Sequence, residues 1–158
     1  MTFRPFAATT LVWLSLALAL PEASALAGGA DFNLQAQLLW AGNAGVNPPE
    51  GKNFKPIEPA VAKKLKNLPL KWTTYLEVSR TNFVVALSSV RAVNVSPKCQ
   101  LEVSAKSDSN LEVTLRSKSK EVFKRNQPLP EGEILVLGGN ESNDTAWLVI
   151  LRRIPRGK

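Results

Sequence analysis

Histidine is absent from all 158 residues. That removes the commonest general base and the commonest transition-metal ligand together. A Ser-His-Asp triad is excluded, and a zinc site would have to rest mainly on carboxylates, for which no tetrahedral ligand spacing is visible. Cysteine occurs once, at Cys99, so no disulfide can form within the chain and an apolar core must hold the fold alone. Cys99 shares the parity of Leu101, Val103 and Ala105, which predicts an inward side chain acting as a small apolar filler. A reactive thiol would need exposure and a nearby cation, and Lys98, its neighbour along the strand, is expected on the opposite face. Long apolar runs are confined to the start of the chain; nothing downstream approaches the roughly 20 residues that a helix needs to cross a bilayer.

The run at the start has the form of an export signal. Arg4 supplies a positive end, Thr9 to Leu20 an apolar stretch, and Ala23-Ser24-Ala25 a small-x-small cleavage site. Residues 1–25 are therefore expected to be a cleaved signal peptide, with cleavage after Ala25 or, because Ala25-Leu26-Ala27 repeats the pattern, after Ala27. Pro21 ends the run short of a membrane span, so no anchor is expected to remain after cleavage. The expected address is the periplasm or the outside of a bacterial cell. Lys and Arg number 20 against 13 Asp and Glu, a formal charge of +7, and the signal carries one of each sign. Such a balance favours anionic partners, namely envelope polymers, acidic lipid surfaces, nucleic acid or acidic proteins, although it also serves solubility.

Residues 31–155 read as a single β-rich domain. Phe32, Leu34, Ala36, Leu38 and Trp40 alternate with Asn33, Gln35 and Gln37, the period of a strand with one wet face. Ala41 to Pro56 gathers Gly, Asn and Pro and reads as an exposed loop. Pro59 opens a short helix near residues 59–67 that Pro69 stops, with Val61, Leu65 and Leu68 available for docking and Lys63, Lys64 and Lys66 on the wet side. Strand-prone runs follow: Trp72 to Ser79, Phe83 to Leu87, Val90 to Val95, Cys99 to Lys106, Leu111 to Ser117, Glu121 to Arg125, Ile134 to Leu137 and Thr145 to Ile154. Leu101/Val103/Ala105 and Leu111/Val113/Leu115 flank a polar turn and predict an antiparallel hairpin. Ile134 to Leu137 and Trp147 to Leu151 are apolar on both parities and are expected side by side in the middle of a sheet. The fold class is mainly all-β, an antiparallel sandwich or small barrel of about seven to nine strands with one short helix.

Chemistry-bearing patterns are few. Ser117-Lys118-Ser119-Lys120 has Ser-x-x-Lys spacing, but it falls at a predicted hairpin turn and no Lys-Thr-Gly accompanies it. Glu102 and Glu112 could supply the paired acids of a glycoside hydrolase, yet they fall on the outward face of the predicted hairpin near Lys106 and Arg116. Asn140 to Asp144 collects oxygen donors in a hairpin loop without a known calcium order. No cofactor, metal or catalytic residue is assigned. The candidate binding residues are basic: Arg116, Lys118, Lys120, Lys124 and Arg125 around one hairpin end, suited to an anionic polymer. Trp40 and Tyr75 are the candidate aromatic contacts, while Trp72 and Trp147 read as core. Nucleic acid is disfavoured, because exposed aromatics are not interleaved with the cations and export removes the partner.

Gln37-Leu38-Leu39-Trp40-Ala41-Gly42-Asn43, the Lys63-Lys64-Leu65 helix leading to Lys71-Trp72, Pro128-Leu129-Pro130-x-Gly132, Leu135-Val136-Leu137-Gly138-Gly139 and Asp144-Thr145-Ala146-Trp147 together resemble a set of small exported bacterial proteins of unassigned function. The resemblance implies export and a single domain, and carries no activity. The expectation is a non-enzymatic β-domain of the cell envelope that binds an envelope protein or an anionic polymer. An accessory subunit of an envelope or secretion assembly is the alternative, and a carboxylate-dependent polysaccharide hydrolase the third reading.

Overall fold

The computed structural model describes residues 31–140 and 144–155. The expected signal segment lies outside the described residues, as do residues 141–143 of the oxygen-rich loop and the terminal Arg156 and Lys158. Among the described residues are nine strands: β1 (Phe32–Gly42), β2 (Lys55–Pro56), β3 (Thr74–Val85), β4 (Val90–Ser96), β5 (Cys99–Ala105), β6 (Asn110–Ser117), β7 (Lys120–Pro128), β8 (Ile134–Asn140) and β9 (Ala146–Arg153). One helix, α1 (Pro59–Lys66), separates β2 from β3. The strands form two antiparallel sheets, a five-stranded one in the order β2-β3-β1-β9-β8 and a four-stranded one in the order β4-β5-β6-β7. This is a sandwich and not a closed barrel. No helix among the described residues is long and apolar enough to cross a membrane.

Local chemistry accounts for the elements. Ala105 pairs with Leu111, Val103 with Val113 and Leu101 with Leu115, the register that places both apolar sets on one face. The turn between them is closed by Lys106 N donating to Asn110 O at 3.0 Å and Asn110 N donating to Ser107 Oγ at 3.3 Å. Phe32, Leu34, Ala36 and Leu38 of β1 meet these residues across the sandwich in one core. The other face of the five-stranded sheet carries a second core, where Val61 and Leu65 of α1 lie over Leu39, Ala41, Leu148 and Ile150, with Trp72 beside them. Leu68 falls past the helix end and is 37% exposed, so only two of the three residues expected to dock do so.

Three expectations are corrected. First, β1 has no wet face: Gln35 and Gln37 are buried, because the helix side of the sheet is covered as well as the inner side. Second, the runs Trp72 to Ser79 and Phe83 to Leu87 are one strand, β3, continuous through Arg80, Thr81 and Asn82. Val78 is the extra residue of a bulge, since Leu38 pairs with Ser79 and Leu39 with Glu77. The bulge reverses parity, so that Ser79 bonds Val95 O of the opposite sheet at 2.7 Å while Glu77 faces the helix side. Third, β9 is internal as expected, but β8 is an edge strand, although both of its faces are covered.

The bulge assembles an ionic network under the N-terminus of α1. Gln37 Nε2 donates to Glu77 Oε2 at 3.1 Å, and Arg80 grips the same carboxylate through Nε at 3.0 Å and Nη2 at 2.6 Å. Arg80 also holds Glu58, the residue before the helix. Arg152 Nη2 reaches Glu58 Oε2 at 2.8 Å and its Nε donates to Gln35 Oε1 at 2.8 Å, while Gln35 Nε2 donates to Asn82 Oδ1 at 2.7 Å. Burial pushes the Glu58 carboxyl up, but the hydrogen bonds and charges of Arg80 and Arg152 outweigh it, and its pKa falls below the ordinary 4.5.

Two outcomes follow for stability. Leu65→Ala should cost about 2–5 kcal/mol in urea unfolding, whereas Leu68→Ala should stay within about 0.5 kcal/mol; equal losses would contradict the docking described. Because Glu58 has a lower pKa folded than unfolded, its contribution is complete above 4.5 and drains away as the pH falls through the folded value. Unfolding midpoints measured from about pH 6 to about pH 3 should therefore drop less in Glu58→Gln, relative to its own starting value, than in the unsubstituted protein; parallel curves would remove Glu58 from the acid response.

Candidate functional site

Two tight turns meet at one end of the four-stranded sheet. Ser96 pairs with Cys99 around Pro97 and Lys98, and Ser117 pairs with Lys120 around Lys118 and Ser119. In the second turn both central residues have positive φ, 48° at Lys118 and 65° at Ser119. That is the backbone a two-residue hairpin turn with the right twist requires, and it ordinarily selects Asn-Gly. Lys118 N donates to Lys98 O at 3.0 Å, which ties the turns together and brings their lysines to the same end.

Beside these turns the sheets part around a cleft of about 620 Å³. Leu38, Leu115, Val122, Phe123, Trp147 and Val149 supply its apolar walls, from the facing sides of both sheets. A bulge between Leu115 and Arg116 leaves Val122 unpaired, so successive residues of β7, Val122 and Phe123, both turn to the cleft. Val122 stands at the lip, 57% exposed. Gly138 and Gly139 of β8 form the opposite lip. A Cβ at Gly138 would lie 2.4 Å from Trp147 O, so only glycine fits there, whereas a Cβ at Gly139 would meet nothing within 4 Å. Lys52, from the loop after β1, lies 4.1 Å from the centre of the Trp147 ring, a cation over an aromatic face. Ser96, Lys98, Cys99 and Ser117 complete the lining, and burial pushes the pKa of the Cys99 thiol up.

A smaller depression of about 160 Å³ lies on the outer side of the same turn end, lined by Asn94, Gln100, Arg116 and Lys118, with Ser96, Lys98 and Cys99 standing between it and the cleft. Among the described residues no carboxylate lines either one. The cleft itself carries Lys52 and Lys98 at its rim, with Lys118 tied to Lys98 at the same end. Such an arrangement can hold an apolar group and an anion side by side.

The five basic residues expected to cluster are divided. Arg116, Lys118 and Lys120 share the turn end, where Arg116 also reaches Glu102 at 3.8 Å. Lys124 lies along β7 on the outer face, 3.6 Å from Glu112, and Arg125 stands on the inner face opposite Val113. Both are strand residues, drawn away from the turn by the rise of β7. Neither expected aromatic contact lines the cleft. Trp40 is 1% exposed, with Phe54 of the following loop edge-on to it at 6.2 Å between ring centres. Tyr75 is half-buried in the helix-side core, its hydroxyl donating to Trp72 O at 2.8 Å. Trp147, read as core, is the aromatic of the cleft. Lys52, Lys98, Val122 and the glycine pair were also missed; the only sequence signals for them were a turn dipeptide and two adjacent residues without side chains.

The remaining patterns are placed plainly. Ser117 and Lys120 are a cross-strand pair, not one helical turn. Glu102 and Glu112 sit on the outer face, Glu112 at 3.4 Å from Lys106 as well as near Lys124. Asp144 is engaged by Lys71 at 3.1 Å and its carbonyl by the Trp72 indole at 3.0 Å. Comparison with protein-family models, curated proteins and solved structures finds no match for the chain.

The strained turn yields a test of its own. Replacing Lys118-Ser119 by Asn-Gly should stabilise the protein by about 1–2 kcal/mol in chemical unfolding, since both left-handed positions are relieved. A loss of stability would show that the turn has another geometry.

Proposed function

We propose that the protein is an exported, non-enzymatic binding module of the cell envelope that holds a negatively charged envelope component at the turn end of the sandwich. The observation that carries this reading is the gathering of Lys52, Lys98, Lys118 and Lys120 there, none with a carboxylate partner among the described residues, around a cleft free of acidic side chains. Grouped cations with no internal counter-charge raise the local potential and favour an external anion. The export signal read in residues 1–25 supports the address.

Two other readings are less well supported. An accessory subunit would add to a partner through a sheet edge, and the four-stranded sheet guards both of its edges. Arg91 of β4 and Arg125 of β7 lie on the inner face opposite Val103 and Val113, a row with a cation at each end. Inward charge on edge strands opposes strand addition. A hydrolase would need its acids in the cleft, and Glu102 and Glu112 lie on the outer face instead.

Immobilised protein should retain poly-glutamate, a model anion, at low salt and release it as salt rises, because the contacts are exposed and screened. Lys98→Glu combined with Lys118→Glu and Lys120→Glu should weaken retention by at least about tenfold, while Lys63→Glu with Lys66→Glu, on the helix, should change it little. Equal weakening by the two sets would reduce the effect to overall charge and overturn the assignment of the site.

A further inference from the structure

We propose that the anion held at the turn end is the head group of a lipid, and that the adjoining cleft receives one of its acyl chains; this rests on the binding reading above and names its ligand class. The juxtaposition itself points there. Lys52 and Lys98 stand at the rim of the apolar slot, so a ligand that fills the slot and meets its rim is apolar at one end and negative at the other.

Several features choose a hydrocarbon chain over a polypeptide. Leu38, Leu115 and Val149 are core residues of the sandwich, so an occupant of the slot becomes part of the layer between the sheets. A peptide there would bury amide groups, each requiring a partner, and the walls between the sheets are side chains of Leu, Val, Phe and Trp. A chain of methylene groups needs none. The slot, about 620 Å³, also lies in the range of ligand pockets, roughly 300–1,000 Å³, rather than of protein interfaces. Lys52 covers Trp147 at the slot and Lys98 lines its rim beside Lys118, so the charge complementarity is to a single head group at the mouth.

The test uses the whole exported protein and soluble amphiphiles. Binding followed by tryptophan fluorescence should be at least about a hundredfold tighter for dodecyl phosphate than for butyl phosphate, since eight further methylene groups leave water. Dodecyl maltoside, with the same chain and no charge, should bind at least about tenfold more weakly than dodecyl phosphate. Gly139→Leu, at a position where a Cβ meets nothing within 4 Å, places a side chain beside Trp147 at the slot and should weaken dodecyl phosphate by at least about tenfold, and poly-glutamate far less. Val122→Gln at the exposed lip, which adds polarity without charge, provides a second variant with the same expected loss, should the first fold poorly. Vesicles of anionic phospholipid should bind the protein and zwitterionic vesicles should not.

The failures separate. If dodecyl and butyl phosphate bind alike, or Gly139→Leu and Val122→Gln leave the affinity intact, while poly-glutamate is still retained through Lys98, Lys118 and Lys120, the acyl slot is wrong and the binding module stands. If no anion binds, both fall. Equal affinity for dodecyl maltoside and dodecyl phosphate would overturn the pairing of charge with chain.

Discussion

Burial of β1 on both faces is the constraint on which the rest of the structure depends. A strand in the middle of a five-stranded sheet has its backbone satisfied on either side, but its two rows of side chains still need cover. The inner row, Phe32 to Leu38, is matched by the apolar hairpin of β5 and β6. The outer row begins with Asn33, Gln35 and Gln37 and turns apolar only at Leu39 and Ala41, so a short helix can seal its apolar end while ions must seal its polar end. Glu58, Glu77, Arg80 and Arg152 provide that second seal. Each buried charge there has an opposite charge and a hydrogen-bond partner, the condition under which burying ions is tolerable. The single bulge at Val78 makes this possible, since it turns Glu77 toward Gln37 while leaving Ser79 against the other sheet.

The same economy explains the open end. Bulges in the pairings of β4 with β5 and β6 with β7 both fall near the turns at Lys98 and Lys118, at the end of the four-stranded sheet where the cleft lies. The sandwich core therefore stops short, and its last side chains line a cleft instead of meeting one another. Two glycines on the facing strand keep the mouth clear. Lysines held by a left-handed turn flank the opening. A left-handed turn, two glycines and lysines without a carboxylate partner among the described residues thus gather at one end of the fold.

What the residues revealed beforehand follows from how local the cause was. The hairpin of β5 and β6, the helix at Pro59 and the internal position of β9 rest on periodicity, a turn and a proline, all visible within a few residues. The burial of Gln35 and Gln37 depends on Arg80 and Arg152, which lie far along the chain, so alternation alone made them a wet face. Glu77 and Ser79 share parity in the sequence, and only the bulge separates them. At the site, the basic hairpin was legible as charge, but its strand residues Lys124 and Arg125 could not be told from its turn residues Lys118 and Lys120 without the register. Trp40 and Trp147 are cross-strand partners on β1 and β9, and the loop after β1 sets Phe54 edge-on to the first and Lys52 over the second, contacts that alternation does not reveal.

Replacement of Glu77 by alanine tests the doubly covered strand most directly. It leaves Gln37 and Arg80 facing a gap within a buried network, and urea unfolding of the Glu77→Ala protein should show a loss of about 3 kcal/mol or more. If the alternation of β1 instead marked a solvated face, the same substitution would shift stability by no more than about 0.5 kcal/mol, and the arrangement of helix, network and sheet described here would be wrong.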